Sequence, residues 1–161
     1  HKEYRRQRQM CIRDSDVMAG SGYWAAELTK RGIKTIASDK FIGDKNDYGH
    51  KDTYHPIEEK DALEAMRDIN VLAADKTSGI HGDVLMAWPP YKEPIGRLIV
   101  ESIPIGGRIF YVGEGRYGAT GDDEMHDLLD DKTKFKLLGS QRLATWSNIC
   151  DHLWVYERIS N

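Results

Sequence analysis

The chain has little cysteine, no excess of basic charge and no long apolar run. Only two of its 161 residues are cysteines, and neither belongs to a CxxC pair, so a disulfide framework or a cysteine-based metal cluster is not expected. Asp and Glu number 26 against 23 Lys and Arg, and the basic residues are scattered, which argues against a nucleic-acid partner. No apolar stretch is long enough to cross a membrane. These features predict a soluble protein of cytoplasmic type.

The first fifteen residues, HKEYRRQRQMCIRDS, differ in character from the rest of the chain. They are basic and polar, and they resemble translated sequencing-adapter read-through at the end of a metagenomic fragment. We therefore expect residues 1–15 to be non-native or disordered and residues 16–161 to form a single domain, which suits the length. On this hypothesis the first strand is truncated. The alternative is a genuine short strand fed by Met10, Cys11 and Ile12.

Predicted strands and helices alternate along the chain. The strands are expected at 33–38, 83–88, 108–115, 135–143 and 152–159, the helices at 23–31, 94–104 and 122–131, and a short strand followed by a helix within 57–75. This alternation predicts an α/β protein with a doubly wound, Rossmann-like sheet in a three-layer α/β/α arrangement. The sheet should be mostly parallel, with an antiparallel C-terminal strand pair.

A glycine turn stands between the first two predicted strands. Residues 20–25, GSGYWA, satisfy the pattern G-x-G-x-x-A, which is typical of dinucleotide sites but also suits other nucleotide-like ligands. A pyrophosphate would be repelled by Asp16, and the turn supplies no Lys or Arg to compensate. S-adenosyl-L-methionine (SAM) carries a sulfonium and an ammonium, so Asp16, Asp39 and Asp61 around one crevice would favour it.

The segment DVMAGSGYWAAELTKRGIKTIASD resembles the first two motifs of class I SAM-dependent methyltransferases. The resemblance implies an acid at the end of the first strand, a glycine-rich turn for the methionine part, an acid for the ribose and a further acid near the adenine. Met18 stands at the family's usual first glycine. The implied cofactor-binding residues are Asp16, Ala19, Gly20, Ser21, Gly22, Tyr23, Asp39, Lys40, Asp61 and Ala62.

A second motif, AWPPY at residues 87–91, resembles the Asn/Asp-Pro-Pro-Tyr motif of amino-group methyltransferases. Trp88 occupies the position of the acceptor side chain, and because an indole N–H only donates, base methylation is not expected. Backbone carbonyls could still accept from an amine, and Tyr91 could stack on a planar substrate. Glu114, in a glycine-rich loop, is a candidate general base or orienting group. The candidate catalytic residues are Trp88, Pro89, Pro90, Tyr91 and Glu114.

The remaining histidines and tryptophans carry weaker signals. His50 and His55, near Asp47 and Asp52, lack a tight ligand spacing, so no metal is expected. His126 is expected at the surface, whereas Trp146 and Trp154 are expected in the core of the final strands.

Three hypotheses of function follow from these patterns. The first is a SAM-dependent methyltransferase acting on a small-molecule or side-chain nucleophile. The second is an NAD-dependent oxidoreductase that uses the G-x-G-x-x-A turn and Asp39. The third is a non-catalytic α/β binding or scaffold domain, favoured by Met18 and Trp88, the two departures from the family pattern. SAM is the cofactor of the first hypothesis.

Overall fold

The structure is a computed structural model that describes residues 13–45, 52–74, 82–144 and 147–161. Its elements in chain order are β1 Arg13–Val17, α1 Tyr23–Lys30, β2 Lys34–Asp39, a 3₁₀ turn Gly43–Lys45, β3 Ile57–Glu59, α2 Ala62–Ala74, β4 Val84–Ala87, α3 Ile95–Glu101, β5 Arg108–Gly113, α4 Asp123–Asp130, β6 Phe135–Arg142 and β7 His152–Arg158. The chain divides into two compact units, of which the first runs to Asp83 and the second begins at Val84.

The first unit contains three parallel strands in the order β3-β2-β1. Asp16 of β1 is level with Ala37 of β2, and Val17 with Ser38. Helix α1 makes the connection between β1 and β2 that parallel neighbours require. Its Ala25 is buried, as are Val17 of β1 and Ala37 of β2, so all three elements contribute to the apolar core of this unit.

Strand β1 is polar where a buried parallel strand is usually apolar. Residues 13–15 pair with β2, so the expected boundary after residue 15 falls inside a strand. Ser15 and Asp16 are both buried, and the Ser15 N–H donates to the carbonyl of Asp83 at 3.2 Å. Backbone pairing on both sides therefore holds a polar sequence in strand form. Residues 1–12, which include Met10, Cys11 and Ile12, lie outside the described residues.

The second unit contains four strands in the order β4-β5-β7-β6. Strands β4 and β5 are parallel, whereas β7 runs antiparallel to both β5 and β6. Among the strands of this unit only β7 is therefore reversed. Val84, Met86, Ile109 and Val112 are fully buried, as the apolar runs of β4 and β5 predicted. The predicted α/β class, mostly parallel with an antiparallel C-terminal strand pair, is confirmed.

Helix α4 corrects one expectation about a histidine. Asp122 caps the helix, since its Oδ1 accepts the Met125 N–H at 2.7 Å. The buried face consists of Met125, His126 and Leu129, and His126 Nε2 lies 3.0 Å from the Thr120 carbonyl oxygen. The prediction that His126 is a surface residue was wrong. The buried face of the helix includes His126 beside Met125 and Leu129, although acidic residues surround it in the sequence.

Trp146 and Trp154 were expected in the core of the final strands. Trp154 is only half-buried, and Trp146 lies outside the described residues.

Within the described ranges, none of the helices has the length and apolar character needed to cross a bilayer.

Candidate functional site

The glycine turn after β1 brings the backbone into left-handed conformations at three positions. The φ angles are 62° at Met18, 56° at Gly20 and 72° at Gly22. The turn closes when the Gly22 N–H donates to the Ala19 carbonyl at 2.7 Å, and the Ala19 N–H donates to Ser38 of β2 at 2.9 Å. Met18 thus takes the conformation that glycine adopts freely, and a residue with a Cβ does so only with backbone strain.

Asp39, the last residue of β2, fastens this turn. Its Oδ2 accepts the Gly20 N–H at 2.8 Å, and its Oδ1 accepts the Phe41 N–H at 2.8 Å. Charge-assisted bonds of this kind are the stronger class of hydrogen bond. One carboxylate therefore fixes both the glycine turn and the loop that follows β2.

Asp16 is a buried carboxylate for which the described residues supply no cationic partner. Its side chain is 1% exposed, and neither carboxylate oxygen accepts a hydrogen bond from the residues that the structure describes. Burial raises the pKa of Asp16 from 3.8 to about 7; the backbone N–H of Ala25 opposes this shift, and the charge of Asp39 adds to it. The first unit thus holds an uncompensated acid beside the glycine turn.

Asp61 and Lys40, two further predicted cofactor residues, have local partners. Asp61 begins helix α2: its Oδ1 accepts the Leu63 N–H at 2.9 Å, and its carbonyl accepts the Ala65 N–H at 2.9 Å. Lys40 Nζ lies 3.9 Å from Asp61 Oδ2. Ala62 is buried in the first turn of α2. The geometry gives Asp61 a capping role, and its role as a ligand residue stays a prediction.

The two glycines of the turn offer a matched pair of substitutions. We expect Gly22→Ala to lower the free energy of unfolding by about 2 kcal/mol, because it combines a left-handed φ with crowding. A Cβ at Gly22 would lie 3.1 Å from the His55 Cβ, whereas a Cβ at Gly20 would meet nothing within 4 Å. Gly20→Ala should therefore cost only the backbone strain, about 1 kcal/mol. Urea unfolding measures both, and equal losses would contradict the packing explanation.

In the second unit, the motif AWPPY lies at the end of β4. Trp88 has a φ of 50°, and its N–H donates to the Val112 carbonyl at 2.8 Å. Its indole Nε1 donates to Asp151 Oδ2 at 3.0 Å. The Pro89 carbonyl accepts the Gly121 N–H at 2.9 Å, so one of the carbonyls considered for an amine already has a donor.

Tyr91 follows the two prolines and is 55% exposed. The ammonium of Lys92 lies 5.0 Å from the centroid of its ring, within the range of a cation–π contact. Pro90 accepts the Glu93 N–H at 3.3 Å. The aromatic ring is accessible, and it already has an ammonium beside it.

Glu114 organises the loop after β5. Its Oε2 accepts the Ala119 N–H at 2.7 Å, and its Oε1 accepts the Cys150 N–H at 3.0 Å. The hydrogen bond from Cys150 lowers the pKa of Glu114 most, and the bond from Ala119 lowers it further. An ionised carboxylate with both oxygens engaged suits an orienting group better than a general base. Its catalytic role stays a prediction.

Asp151 is a residue that the sequence did not single out. It lies directly before β7 and is 6% exposed, and its Oδ1 lacks a hydrogen-bond partner in the described ranges. It is separated from Trp88 by 63 positions. A single acid before a strand gives no local signal, so only the fold reveals the pair.

Of the four residues considered for a metal, the structure describes Asp52 and His55. His50 and Asp47 lie outside the described residues. His55 has its Nε2 3.3 Å from Thr29 Oγ1 and its Nδ1 2.7 Å from the Pro56 carbonyl oxygen. In the part of the chain that is described, no group of three or more His, Cys, Asp or Glu residues could hold a metal ion.

A glycine turn after the first strand, an acid that ends the second and a reversed β7 define a Rossmann-like α/β protein. Solved structures of methyltransferases share this fold. A magnesium protoporphyrin IX methyltransferase from Synechocystis PCC 6803 with bound SAM is 14% identical, with 96% of this chain and 74% of that chain covered and a TM-score of 0.57. A SAM-dependent methyltransferase from Anabaena variabilis is 12% identical, with 98% of this chain and 82% of that chain covered and a TM-score of 0.54.

A third structure, from Streptococcus pneumoniae and assigned as a tRNA methyltransferase, is 15% identical, with 94% of this chain and 66% of that chain covered and a TM-score of 0.55. No family model and no curated protein sequence matches the chain. These likenesses show the fold, and the acceptors named for the first and third proteins, a magnesium porphyrin and a tRNA, are of different kinds.

Proposed function

We propose that the protein is a SAM-dependent methyltransferase acting on a small-molecule or side-chain nucleophile. The observation that carries the proposal is Asp16, a buried carboxylate without a cationic partner among the described residues, beside a glycine turn. A pyrophosphate would add negative charge to this acid, whereas the ammonium or sulfonium of SAM would compensate it. The fold shared with methyltransferases, one of them solved with SAM, supports the same ligand.

The residues of the first unit have distinct roles in this proposal. Gly20, Ser21 and Gly22 allow a close approach of the ligand to the backbone. Asp39 holds the turn in shape through the Gly20 N–H, and the remaining lone pairs of its oxygens can accept ribose hydroxyls. Asp16 supplies negative charge for the cationic part. When bound, SAM supplies a methyl group already activated on sulfur, so positioning is the main task of the protein.

The proposed acceptor residues all belong to the second unit. The exposed rings of Trp88 and Tyr91 can hold a planar or cationic group, and Glu114 can orient it. The formal net charge of −3 still argues against nucleic acid as the acceptor.

Isothermal titration of the full chain with SAM, S-adenosylhomocysteine and NADH tests this function. We expect the first two to bind in the micromolar range and NADH not to bind. Binding of NADH alone would overturn the proposal in favour of an oxidoreductase. Binding of SAM with no methyl transfer to any amine, thiol, hydroxyl or carboxylate compound supplied would replace it by the binding or scaffold domain.

A further inference from the structure

The half-exposed Trp88 is hydrogen-bonded to a buried carboxylate, that of Asp151. The Trp88 side chain is 50% exposed, yet its Nε1 donates to Asp151 Oδ2 at 3.0 Å. The other oxygen, Asp151 Oδ1, is buried and accepts nothing from the residues described. One edge of the indole is thus fixed by a carboxylate, while part of the ring remains open to solvent.

The negative charge behind Trp88 is not neutralised by a basic side chain. In the described ranges, Asp151 has no Lys or Arg as an ion-pair partner. A second carboxylate reaches the same stretch, because Glu114 Oε1 accepts the N–H of Cys150, the residue before Asp151. An uncompensated buried charge is costly and attracts a cation when one can approach.

An aromatic ring backed by a carboxylate is a favourable surface for an ammonium group. Tryptophan provides the strongest cation–π attraction of the aromatic residues. The left-handed φ of 50° at Trp88 is a strained conformation of the kind that clusters at binding sites. In the same segment, the ammonium of Lys92 lies 5.0 Å from the Tyr91 ring centroid, so an ammonium group already lies beside an aromatic ring three residues further along the chain.

We propose that Trp88 and Asp151 form a binding site for the ammonium group of a ligand. Trp88 offers its exposed face, and Asp151 fixes the indole and supplies the negative field. Resting on the proposed methyltransferase function, the site would select acceptors that carry a cationic nitrogen over acidic or neutral ones. The recognition of an ammonium group does not itself need SAM.

The indole N–H resonances of the ¹⁵N-labelled full chain test this site without SAM. Trp88→Phe identifies the Trp88 resonance by its loss. We expect tetramethylammonium chloride to shift that resonance saturably in the millimolar range, at an ionic strength matched with NaCl. tert-Butanol, a neutral compound of similar size, should not shift it. An unmoved resonance, or an equal shift with tert-butanol, would overturn the proposal.

Asp151→Asn separates the field of the carboxylate from the shape of the site. It should weaken tetramethylammonium binding about fivefold, because one charge is lost while an acceptor oxygen for Trp88 remains. Asp123→Asn removes an exposed charge from the same unit and should leave the affinity unchanged. Equal affinity in Asp151→Asn would overturn the role of Asp151. If that variant does not fold, the comparison with tert-butanol in the unaltered chain still decides the ammonium site, and failure of SAM to bind would not affect it.

Discussion

Asp39→Ala should weaken SAM binding by about two orders of magnitude or more while the chain stays folded. The carboxylate accepts the N–H groups of Gly20 and Phe41, each at 2.8 Å, and its loss releases the glycine turn from the end of β2. Each charge-assisted bond contributes about 1.5–3 kcal/mol, so the loss of a preorganised turn should weaken binding by about 100-fold or more. Titration calorimetry measures the affinity, and circular dichroism verifies the fold.

Two variants make this result specific to the turn. Glu59, level with Asp39 on the neighbouring strand β3, is an exposed acid whose carboxylate pairs with Lys45, so Glu59→Ala should leave the SAM affinity unchanged. Asp39→Asn keeps one acceptor oxygen but places an amide NH₂ against a backbone N–H, and its affinity should be intermediate. Normal SAM binding by Asp39→Ala, or an equal loss in Glu59→Ala, would contradict the assigned role.

The parts of the fold that the sequence predicted well are those with one dominant signal. The apolar run of β4 is stopped by two prolines, and α1 ends before Gly32, so their bounds were nearly right. The truncation of strand β1 was predicted because Arg13 to Asp16 are polar, and it stays a prediction. Pairing with β2 and the bond from Ser15 to Asp83 stabilise that strand, and neither is visible in local composition.

The candidate site divides in the same way. The glycine turn and Asp39 were identified from their pattern, but their direct hydrogen bond depends on two strand ends meeting in space. The role of Asp61 as the acid near the adenine stays a prediction, and the structure shows that it caps the start of α2. Asp151 had no pattern at all, because its partner Trp88 lies on a different strand end. Sequence spacing predicts which residues lie together within one turn. Residues far apart in the sequence, such as Trp88 and Asp151, are brought together only by the tertiary structure.

Asp16 should make the stability of the chain fall as the pH rises from about 4 to about 7, the interval between its unfolded and folded pKa values. In this window the unfolded chain has released the proton that the folded chain still holds, so each pH unit favours unfolding. Below the window both states are protonated and the penalty is absent. Above it both are ionised, and the full penalty is about 4 kcal/mol, since one pKa unit corresponds to about 1.4 kcal/mol.

Asp16→Asn removes this titration and should raise the free energy of unfolding by several kcal/mol at pH 8 but hardly at pH 4. Urea unfolding across this range measures the difference, with Asp123→Asn as the control for an exposed acid. Parallel stability curves for Asp16→Asn and the unaltered chain would show that Asp16 does not carry the pH dependence.

The carboxylate of Asp16 should couple SAM binding to the release of a proton. A cationic ligand beside Asp16 favours its ionised form, so SAM should bind more tightly as the pH rises from 6 to 8 and should release protons when it binds near pH 6.5. Below the pKa of Asp16, the affinity should change by up to about tenfold per pH unit. Calorimetry in two buffers of different ionisation enthalpy measures the released protons. Asp16→Asn should bind more weakly at pH 8 and lose the proton release; if it binds SAM with an unchanged pH profile, Asp16 destabilises the fold without contributing its charge to the ligand.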